Sequence, residues 1–338
     1  MRRVAINGLG RIGRAALKQI LDNKTLVPVA VNDLVPAENL AYLLKYDTVY
    51  GRYEKEVHAD SDSLVIAGTK IPVLSEKDPA KLPWKDMNVD LVFECSGVFS
   101  KPEDLKKHLT AGASHVILSA PVKGDGVPMV VHAANRAEGG DVQVISCASC
   151  TTNCIAPVVE VLYRRLGVKK ALMTTIHAYT STQSIVDGPA KKMRRGRAGA
   201  ANFVPTSTGA AIATTQVIPE LKGKFDGVAV RGPVPTGSIA DVVVLTGRST
   251  SKQEVNDVFR EESETDRYKG VLGVTDEPLV SSDVIKDTRA SIVDLSMTQV
   301  VDGDLVKVMS WYDNEWGYVC QMIREAVRMD DVWSKPKQ

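Results

Sequence analysis

Three cysteines, Cys147, Cys150 and Cys154, fall close together in the stretch CASCTTNC. A thiol can act as a nucleophile, a metal ligand, a redox partner or half of a disulfide, so this stretch is the first candidate for chemistry. A zinc site needs a fourth ligand and usually a second cysteine pair, whereas Cys95 and Cys320 are isolated. We therefore expect no metal site, while a redox pair of Cys147 and Cys150 stays open from spacing alone.

The residues around these cysteines predict a strand followed by a helix. The run VQVIS predicts a strand that ends near Cys147, and TTNCIAPVVEVLYRRLG predicts a helix from about residue 150 to Gly167. Cys150 would then lie at the helix N-terminus, where free N–H groups lower the pKa of a thiol and stabilise an oxyanion. Cys154, one turn later, would point into the packing of the helix.

A nucleophilic cysteine needs a base, and His177 is the candidate among the five histidines. It ends an apolar strand, ALMTTIHAYT, and precedes residues 179–205, which are rich in glycine and arginine and lack periodicity. Loops of this length in compact domains are usually functional or interfacial. On spacing alone, a histidine packed in the core is the more common case.

A second motif, INGLGRIGR, places Gly8, Gly10 and Gly13 in the spacing G-x-G-x-x-G. It follows a predicted strand and opens a predicted helix, and Asp33 ends the next strand. This context is typical of the dinucleotide-binding turn of a Rossmann fold, in which the backbone and the helix N-terminus bind a pyrophosphate. A carboxylate at Asp33 would bind a ribose 2′-hydroxyl and repel a 2′-phosphate, which favours NAD over NADP.

The elements that position these motifs change in character along the 338 residues, a length that suits about two domains. In the first half, alternating strands and helices predict a parallel sheet covered on both faces. In the second half, runs such as SIADVVVLTG, joined by short turns, predict an antiparallel sheet. The predicted fold class is an α/β Rossmann nucleotide-binding domain plus an α+β catalytic domain with a mainly antiparallel sheet.

The composition argues against several other classes of protein. The net charge is +1 with 25% charged residues, which gives neither the basic excess of a nucleic-acid-binding protein nor the bias of a disordered chain. No apolar run approaches the roughly 20 residues of a membrane span, and the first residues lack the apolar stretch of a secretory leader. We expect a cytoplasmic protein with reduced thiols and no membrane partner.

The motifs ASCTTNC, HAYT, PTSTGAA and SWYDNEWGY together resemble those of phosphorylating glyceraldehyde-3-phosphate dehydrogenases, and the resemblance covers almost the whole chain. It implies that glyceraldehyde 3-phosphate is oxidised to 1,3-bisphosphoglycerate. The nucleophile would be Cys150, which forms a thioester, and the base would be His177. Hydride would pass to NAD and inorganic phosphate would release the product. The resemblance also implies a homotetramer, in which the 179–202 loop crosses towards a neighbour's cofactor.

The resemblance assigns further residues to the ligands. The residues that match contacts of the substrate phosphate and the attacking phosphate are Ser149, Thr151, Thr180, Arg195, Thr208, Gly209 and Arg231. The residues that match cofactor contacts are Gly8, Gly10, Arg11, Ile12, Gly13, Asp33, Lys77, Ser119, Asn314 and Tyr318. For Arg194, Arg195 and Arg197 a subunit interface is the alternative role, and Arg195 is the preferred phosphate ligand.

Some positions depart from the family's pattern. Lys77 stands where an arginine near the adenine is usual, and Gly188 stands where many NAD-specific members have leucine. Leu34, which follows Asp33, favours NAD, whereas Gly188 leaves room for some NADP use. The nearest alternative activity is that of an erythrose-4-phosphate dehydrogenase, which releases a free acid; the presence of Thr208 and SCTT favours phosphate as the acceptor.

The resemblance also implies a discontinuous first domain. Residues 1–149 and 315–338 would form the NAD-binding domain, because the final helix is expected to return to it. Residues 150–314 would form the catalytic domain, including the 179–202 loop. A use of the fold in binding nucleic acid rests only on the basic run KKMRRGR. Such a run more often lines a phosphate site or an interface, so we expect no nucleic-acid partner.

Overall fold

The computed structural model describes residues 1–137 and 142–333. The chain divides into two units, of which the first contains residues 1–130, 137–148 and 322–338 and the second contains residues 131–136 and 149–321. Positions 138–141 and 334–338 of these ranges lie outside the described residues. The chain returns to the first unit between Gln321 and Met322, a few residues after the predicted boundary at 315.

The first unit alternates strands and helices. Its strands are β1 (Arg2–Asn7), β2 (Leu26–Asn32), β3 (Tyr46–Asp47), β4 (Gly51–Arg52), β5 (Val57–Ala59), β6 (Ser63–Ile66), β7 (Thr69–Leu74), β8 (Leu91–Glu94), β9 (His115–Leu118) and β10 (Val144–Ser146). Its helices are α1 (Arg11–Leu21), α2 (Ala37–Lys45) and α3 (Pro102–Thr110).

The main sheet of this unit has the strand order β10-β9-β8-β1-β2-β7-β6-β5. The six strands from β10 to β7 are parallel, whereas β6 and β5 continue the sheet in antiparallel fashion. The order of the parallel strands reverses between β1 and β8, and such a switch point is where doubly wound folds bind dinucleotides. The predicted Rossmann fold is therefore confirmed.

The residues SKPED predict the start of α3, with Pro102 in its first turn, and Gly112 predicts its end. The observed ends agree with this expectation only in part. Ser100 and Glu103 have the spacing of a capping box, but the N-cap residue is Lys101 and no side chain caps the helix. Ser100 is buried instead, so packing fixes this residue before the helix begins. Pro102 occupies the first turn as predicted. At the other end, Gly112 adopts a positive φ of 109° and its N–H group bonds the carbonyl of Leu109, which terminates the helix.

The second unit contains longer strands. Its strands are β11 (Val168–Ala178), β12 (Val204–Ser207), β13 (Phe225–Gly232), β14 (Ser238–Thr246), β15 (Leu272–Thr275), β16 (Ser291–Val301) and β17 (Leu305–Tyr312). Its helices are α4 (Cys150–Leu166), α5 (Ala210–Val217) and α6 (Lys252–Ser263), and α7 (Trp316–Trp333) begins in this unit.

The sheet of the second unit has the strand order β12-β13-β11-β14-β17-β16-β15. Strand β11 is parallel to β13, and β15 is parallel to β16, while the other neighbours are antiparallel. The prediction of a mainly antiparallel sheet is thus confirmed. The sheet brings the ends of β11, β13 and β17 together, and these ends carry the candidate site.

Helix α4 is the central helix of the second unit. It contacts β14, β16 and β17 as well as α5 and α6. Its apolar residues, among them Ile155, Val158 and Leu162, are fully buried. A helix with apolar residues around its circumference is stable only where neighbours cover it on several sides, and this packing fixes the position of its first turn. Among the described helices, none is both long enough and apolar enough to cross a membrane.

Candidate active site

The first turn of α4 presents the thiol of Cys150. Ser149 is the N-cap residue, and its hydroxyl accepts a hydrogen bond from the Thr152 N–H at 3.1 Å. Because the first N–H groups of a helix have no intrahelical acceptor, those of Cys150 and Thr151 can donate to an anion. The helix begins at the predicted residue and ends at Leu166, where Gly167 takes a φ of 73°.

The thiol of Cys150 faces an imidazole. Its Sγ atom lies 3.3 Å from Nε2 of His177, which stands near the end of β11. His177 is buried, and its Nδ1 atom lies 2.7 Å from the carbonyl oxygen of Ala178. When Nδ1 carries the proton and donates it to this carbonyl, Nε2 is free to accept the proton of the thiol. The nucleophile and the base predicted from the sequence are therefore in contact.

The protonation equilibria of this pair depend strongly on burial. Burial raises the pKa of the Cys150 thiol, although Arg231 and the groups of Thr151 act in the opposite direction. The N–H groups at the helix start lower the pKa of this thiol as expected, but burial outweighs them. Burial, reinforced by the charge of Arg231, lowers the pKa of His177 to about 3. The imidazole is therefore neutral, the form that can accept a proton, but it is a weak base until a bound anion offsets the charge of Arg231 and raises the pKa of His177.

Two arginines place positive charge beside the imidazole. The Nη1 atom of Arg231 donates to the Ala178 carbonyl at 2.9 Å and lies 2.5 Å from Nδ1 of His177. Because a guanidinium can only donate, Arg231 cannot hydrogen-bond Nδ1 while Nδ1 carries a proton, so the tautomer that leaves Nε2 free requires Arg231 to bond the Ala178 carbonyl alone. Arg195 donates through Nε to the hydroxyl of Thr206 at 3.0 Å. By contrast, Arg194 is exposed, and Arg197 forms an exposed ion pair with Asp187. The structure therefore separates Arg195 from its two neighbours in the basic run.

The predicted hydroxyl ligands occupy different settings. The Thr180 hydroxyl contacts that of Thr182 at 2.8 Å in the loop that follows β11. Thr208 and Gly209 lie at the start of α5, where the Thr208 hydroxyl accepts from the Ala210 N–H at 3.2 Å. Thr151 is buried, and its hydroxyl points to Tyr312, so its backbone N–H is the group that remains for an anion.

Tyr312 is a residue of this site that the sequence analysis did not single out, although it lies within the motif SWYDNEWGY. Its hydroxyl contacts the Thr151 hydroxyl at 3.0 Å and the Thr175 hydroxyl at 2.8 Å. The edge of its ring faces His177 at a centroid distance of 6.0 Å. Tyr312 thus connects the first turn of α4 to β11, which carries the imidazole.

Asn314 follows β17 and has a fixed side-chain orientation. Its Oδ1 atom accepts hydrogen bonds from the Gly237 N–H at 3.1 Å and from the Ser238 hydroxyl at 3.0 Å. A backbone N–H can only donate, so the amide oxygen must face Gly237 and the amide nitrogen must point the other way. Tyr318 is buried in the first turns of α7.

In the first unit, the three glycines of the motif differ in the space around their Cα atoms. Gly8 has a φ of 91°, and a Cβ atom there would lie 2.4 Å from Cα of Ser96. A Cβ atom at Gly13 would lie 2.0 Å from the carbonyl oxygen of Gly8, so only glycine permits this close approach of helix and strand. A Cβ atom at Gly10 would meet nothing within 4 Å. The backbone at Gly10 is therefore open to the cavity, which Gly10 also lines.

A cavity of about 470 Å³ lies beside this glycine turn, at the carboxyl ends of β1, β2 and β8. Asp33, Leu34 and Lys77 line it together with the exposed Val98. The Asp33 carboxylate accepts from the N–H groups of Leu9 at 2.6 Å and Val35 at 3.0 Å. These two amides fix the orientation of the carboxylate beside the cavity.

The other predicted cofactor residues lie at the edges of this turn. Arg11 and Ile12 open α1, and the Arg11 guanidinium forms an ion pair with Asp47. Ser119 follows β9 and donates its hydroxyl to the Glu94 carbonyl at 2.9 Å. Arg11 and Ile12 can therefore contribute backbone groups, whereas the Ser119 hydroxyl is already engaged.

A buried polar network beneath the glycine turn was not predicted. The Glu94 carboxylate accepts from the amide of Asn7 at 2.6 Å and lies 3.1 Å from Nε2 of His108. The indole N–H of Trp84 donates to Nδ1 of His108 at 3.0 Å, so the ring proton is on Nε2 and faces Glu94. The residues lie far apart in the sequence, and no local pattern marks them.

The remaining cysteines are not placed for nucleophilic chemistry. No disulfide joins any of the five cysteines, all of which lie among the described residues. Cys154 is fully buried and lies 3.7 Å from the hydroxyl of Ser291. Burial raises the pKa of Cys154 to about 12 and that of Cys147 well above its ordinary value. Both thiols are therefore packed groups, and Cys150 is the one that meets a base.

Comparisons with known families cover both units. Residues 2–102 match the family model described as the NAD binding domain of glyceraldehyde 3-phosphate dehydrogenase. Residues 149–314 match the model of the C-terminal domain of the same enzyme family.

Curated relatives match over nearly the full length of the chain. "Glyceraldehyde-3-phosphate dehydrogenase 2" of Streptomyces avermitilis is 46% identical over 95% of this chain and 96% of the relative. "Glyceraldehyde-3-phosphate dehydrogenase" of Zymomonas mobilis is 46% identical over 97% of this chain and 98% of the relative. "Glyceraldehyde-3-phosphate dehydrogenase 1" of Bacillus subtilis is 47% identical over 94% of each.

Proposed function

The chain belongs to the glyceraldehyde-3-phosphate dehydrogenase family, and from this premise we propose that it oxidises glyceraldehyde 3-phosphate to 1,3-bisphosphoglycerate with NAD and inorganic phosphate. The observation that carries the proposal is the 3.3 Å approach of Cys150 Sγ to His177 Nε2 at the start of α4. A nucleophile, its base and an oxyanion site thereby meet at one point.

The contact between Cys150 and His177 supports a reaction in two stages, acylation of the thiol and then transfer of the acyl group to phosphate. The Cys150 sulfur attacks the aldehyde carbon while Nε2 of His177 takes the thiol proton, and the resulting thiohemiacetal oxygen is stabilised by the Cys150 N–H group and the imidazolium. Bound NAD supplies a hydride acceptor, so that a thioester remains on Cys150. Phosphate oxygen then attacks the thioester carbon, the carbon–sulfur bond breaks, and the thiolate recovers a proton from His177.

The positive charge around His177 suits the two anions of this reaction. Arg231 and Arg195 lie beside the imidazole, and guanidinium groups match the geometry of phosphate. The Nε atom of Arg231 is buried without a hydrogen-bond partner among the described residues, so a small rotation towards a bound anion would satisfy it. Ser149, Thr180, Thr208 and Gly209, with the N–H of Thr151, complete the proposed anion contacts.

The proposed cofactor is NAD, bound by the first unit. The open space at Gly10 and the fixed carboxylate of Asp33 fit the pyrophosphate and the adenosine ribose. Lys77 lines the same cavity and would contact the adenosine half. Asn314 would bind the carboxamide and Tyr318 would pack nearby. Gly188 leaves room for some use of NADP.

The experiment that tests this function is a steady-state assay of triose and tetrose phosphates, with and without inorganic phosphate. We expect oxidation of glyceraldehyde 3-phosphate that depends on phosphate and yields an acyl phosphate. Activity that is unchanged when phosphate is withheld, or that prefers erythrose 4-phosphate, would overturn the proposal in favour of the tetrose enzyme.

We also propose that the chain forms a homotetramer in the cytoplasm, with residues 1–149 and 315–338 as the NAD-binding domain and 150–314 as the catalytic domain. Large apolar side chains of the second unit are exposed, including Ile185 and Met193 in the 179–202 loop, Leu172 on β11 and Val228 on β13. Exposed apolar groups of this size favour a partner surface. Analytical ultracentrifugation that finds a monomer at micromolar concentration contradicts the tetramer.

A use of the basic run in binding nucleic acid gains no support from the structure. Lys192 donates to the hydroxyl of Ser207 at 2.7 Å, Arg195 contacts Thr206, and Arg197 pairs with Asp187. Nucleic-acid binding depends on cations that are available to phosphates, and three cations of the run are engaged within their own unit, while Lys191 and Arg194 are exposed.

A further inference from the structure

Ser238 joins the two strand ends that carry His177 and Asn314. It is the first residue of β14, which lies between β11 and β17 in the sheet of the second unit. Ser238 pairs with Tyr312 on one side, and on the other side Ile239 pairs with Ile176. Ser238 is buried, with 1% of the residue exposed, so its hydroxyl needs hydrogen-bond partners inside the fold.

The hydroxyl of Ser238 accepts one hydrogen bond and donates another. It accepts from the Ala178 N–H at 3.1 Å and donates to Oδ1 of Asn314 at 3.0 Å. The direction is unambiguous, because a backbone N–H can only donate and the Asn314 oxygen can only accept. The same residue, Ala178, offers its carbonyl oxygen to Nδ1 of His177.

These bonds decide which way the amide of Asn314 points. The Gly237 N–H and the Ser238 hydroxyl occupy Oδ1, which leaves Nδ2 without a partner among the described residues. Nδ2 is therefore a fixed donor that suits a carbonyl oxygen of a ligand. Without the Ser238 hydroxyl, one of the two bonds that prevent the amide from turning over would be lost.

We propose that Ser238 is a positioning residue for hydride transfer, which holds the Asn314 amide as a donor to the carboxamide oxygen of the nicotinamide and at the same time holds Ala178 beside His177. The proposal rests on the proposed function, because it assumes that Asn314 binds the carboxamide. It links the orientation of the cofactor ring to the orientation of the base through a single hydroxyl. The Ser238→Ala variant keeps Asn314 and Ala178 but loses the hydroxyl that bonds both of them.

The test compares two ligands that differ in the nicotinamide. Binding of NAD and of ADP-ribose is measured by titration calorimetry for the wild-type protein and for Ser238→Ala. We expect the affinity for NAD to fall about five- to tenfold, the effect of one buried hydrogen bond, while the affinity for ADP-ribose stays within twofold. Ser238→Thr retains a hydroxyl and should restore most of the ratio between the two affinities.

Ser291→Ala is the matched control, because Ser291 is also a fully buried strand serine whose hydroxyl contacts another hydroxyl, that of Ser310, at 2.6 Å. Ser291→Ala should leave the ratio of the affinities for NAD and ADP-ribose unchanged. Equal weakening of NAD and ADP-ribose in Ser238→Ala, or an unchanged ratio, overturns the proposal. Where Ser238→Ala does not fold, Ser238→Cys preserves the side-chain volume and is judged by the same ratio.

The turnover rate gives a second readout that a purely structural role would not move. For Ser238→Ala, kcat with saturating NAD should fall, and the kinetic isotope effect on the transferred hydrogen should rise as hydride transfer becomes slower. An unaltered isotope effect together with an unaltered kcat counts against Ser238. A wrong proposed function would give a different result. The wild-type protein would then show no phosphate-dependent oxidation of glyceraldehyde 3-phosphate, whatever the ratio of the affinities for NAD and ADP-ribose.

Discussion

The Sγ atom of Cys150 and the Nε2 atom of His177 lie 3.3 Å apart, although the residues belong to a helix start and a strand end. The opposite nitrogen of the imidazole is held by the Ala178 carbonyl and approached by Arg231. The Ala178 carbonyl thus fixes the ring, and its other nitrogen faces the thiol. Thiol chemistry at a carbonyl requires this arrangement.

Loss of the Cys150 thiol should abolish oxidation, whereas loss of the neighbouring thiols should not. Cys150→Ser should reduce kcat by roughly a thousandfold or more, because a hydroxyl beside the same imidazole is a much poorer nucleophile. Cys147→Ser and Cys154→Ser should stay within a few-fold of wild type, since both thiols are buried groups. Initial rates of NADH formation test this prediction. A Cys154→Ser protein that is folded but inactive would contradict it.

Arg195 should matter for anion binding, and Arg194 should not. Arg195→Gln should raise KM for the triose phosphate or for inorganic phosphate about tenfold, because a charge-assisted bond to phosphate is lost. Arg194→Gln removes the same charge from an exposed neighbouring position and serves as the control. Equal effects of the two substitutions on KM would show that only the net charge of the loop matters.

Asp33 should determine the preference for NAD. Its carboxylate is fixed by the N–H groups of Leu9 and Val35, so it cannot turn away from a 2′-phosphate. Asp33→Asn removes the charge and should raise kcat/KM with NADP about tenfold while lowering it with NAD. Gly188→Leu tests the other position, and we expect it to reduce any NADP activity of the wild-type protein.

Two glycines of the same motif should respond differently to alanine. At Gly13 the new Cβ atom would lie 2.0 Å from the Gly8 carbonyl oxygen, so Gly13→Ala should lower the free energy of unfolding by roughly 1–3 kcal/mol. At Gly10 the space is open, so Gly10→Ala should keep the wild-type Tm and weaken NAD binding. Differential scanning calorimetry and NAD titration separate the two effects. A strongly lowered Tm in Gly10→Ala would be inconsistent with the open space.

The stability of the protein should fall in mild acid in part because of His115. Burial, together with the charge of Arg2, lowers the pKa of His115 to about 4, and its ring stacks on Trp333 at a centroid distance of 4.0 Å. As pH falls from about 6.5 towards 4, the unfolded chain binds a proton that the native state does not, so stability decreases over this window.

His115→Phe keeps an aromatic ring on Trp333 and removes the titration. Between pH 6.5 and pH 4, the free energy of unfolding of this variant should therefore decrease by roughly 1 kcal/mol less than that of the wild-type protein. This figure allows for solvent screening of the partly exposed ring. Urea denaturation at several pH values measures this difference. His58→Gln, at an exposed histidine, is the control and should follow the wild-type curve. Identical pH dependence of His115→Phe and wild type would rule out this contribution.

Much of the site could be predicted because its signals are local. The start of α4 at Cys150 follows from the N-cap serine and the apolar pattern after it, and the glycine turn follows from the spacing between a strand and a helix. Such features depend on residues within about one helical turn of each other. Even so, a local signal failed at α3, where burial of Ser100 prevented it from capping the helix.

Residue types and local spacing are enough to identify the groups that can carry the chemistry, namely the thiol at a helix start, the histidine at a strand end and the acidic residue that ends the strand after the glycine turn. The surroundings of these groups depend on contacts between distant parts of the chain. Tyr312, Arg231 and Ser238 reach the site because β13, β11, β14 and β17 are neighbours in one sheet. The same packing buries the thiol and the imidazole and so sets their pKa values. Strand order and burial arise from contacts between residues far apart in the chain, and no local spacing encodes them.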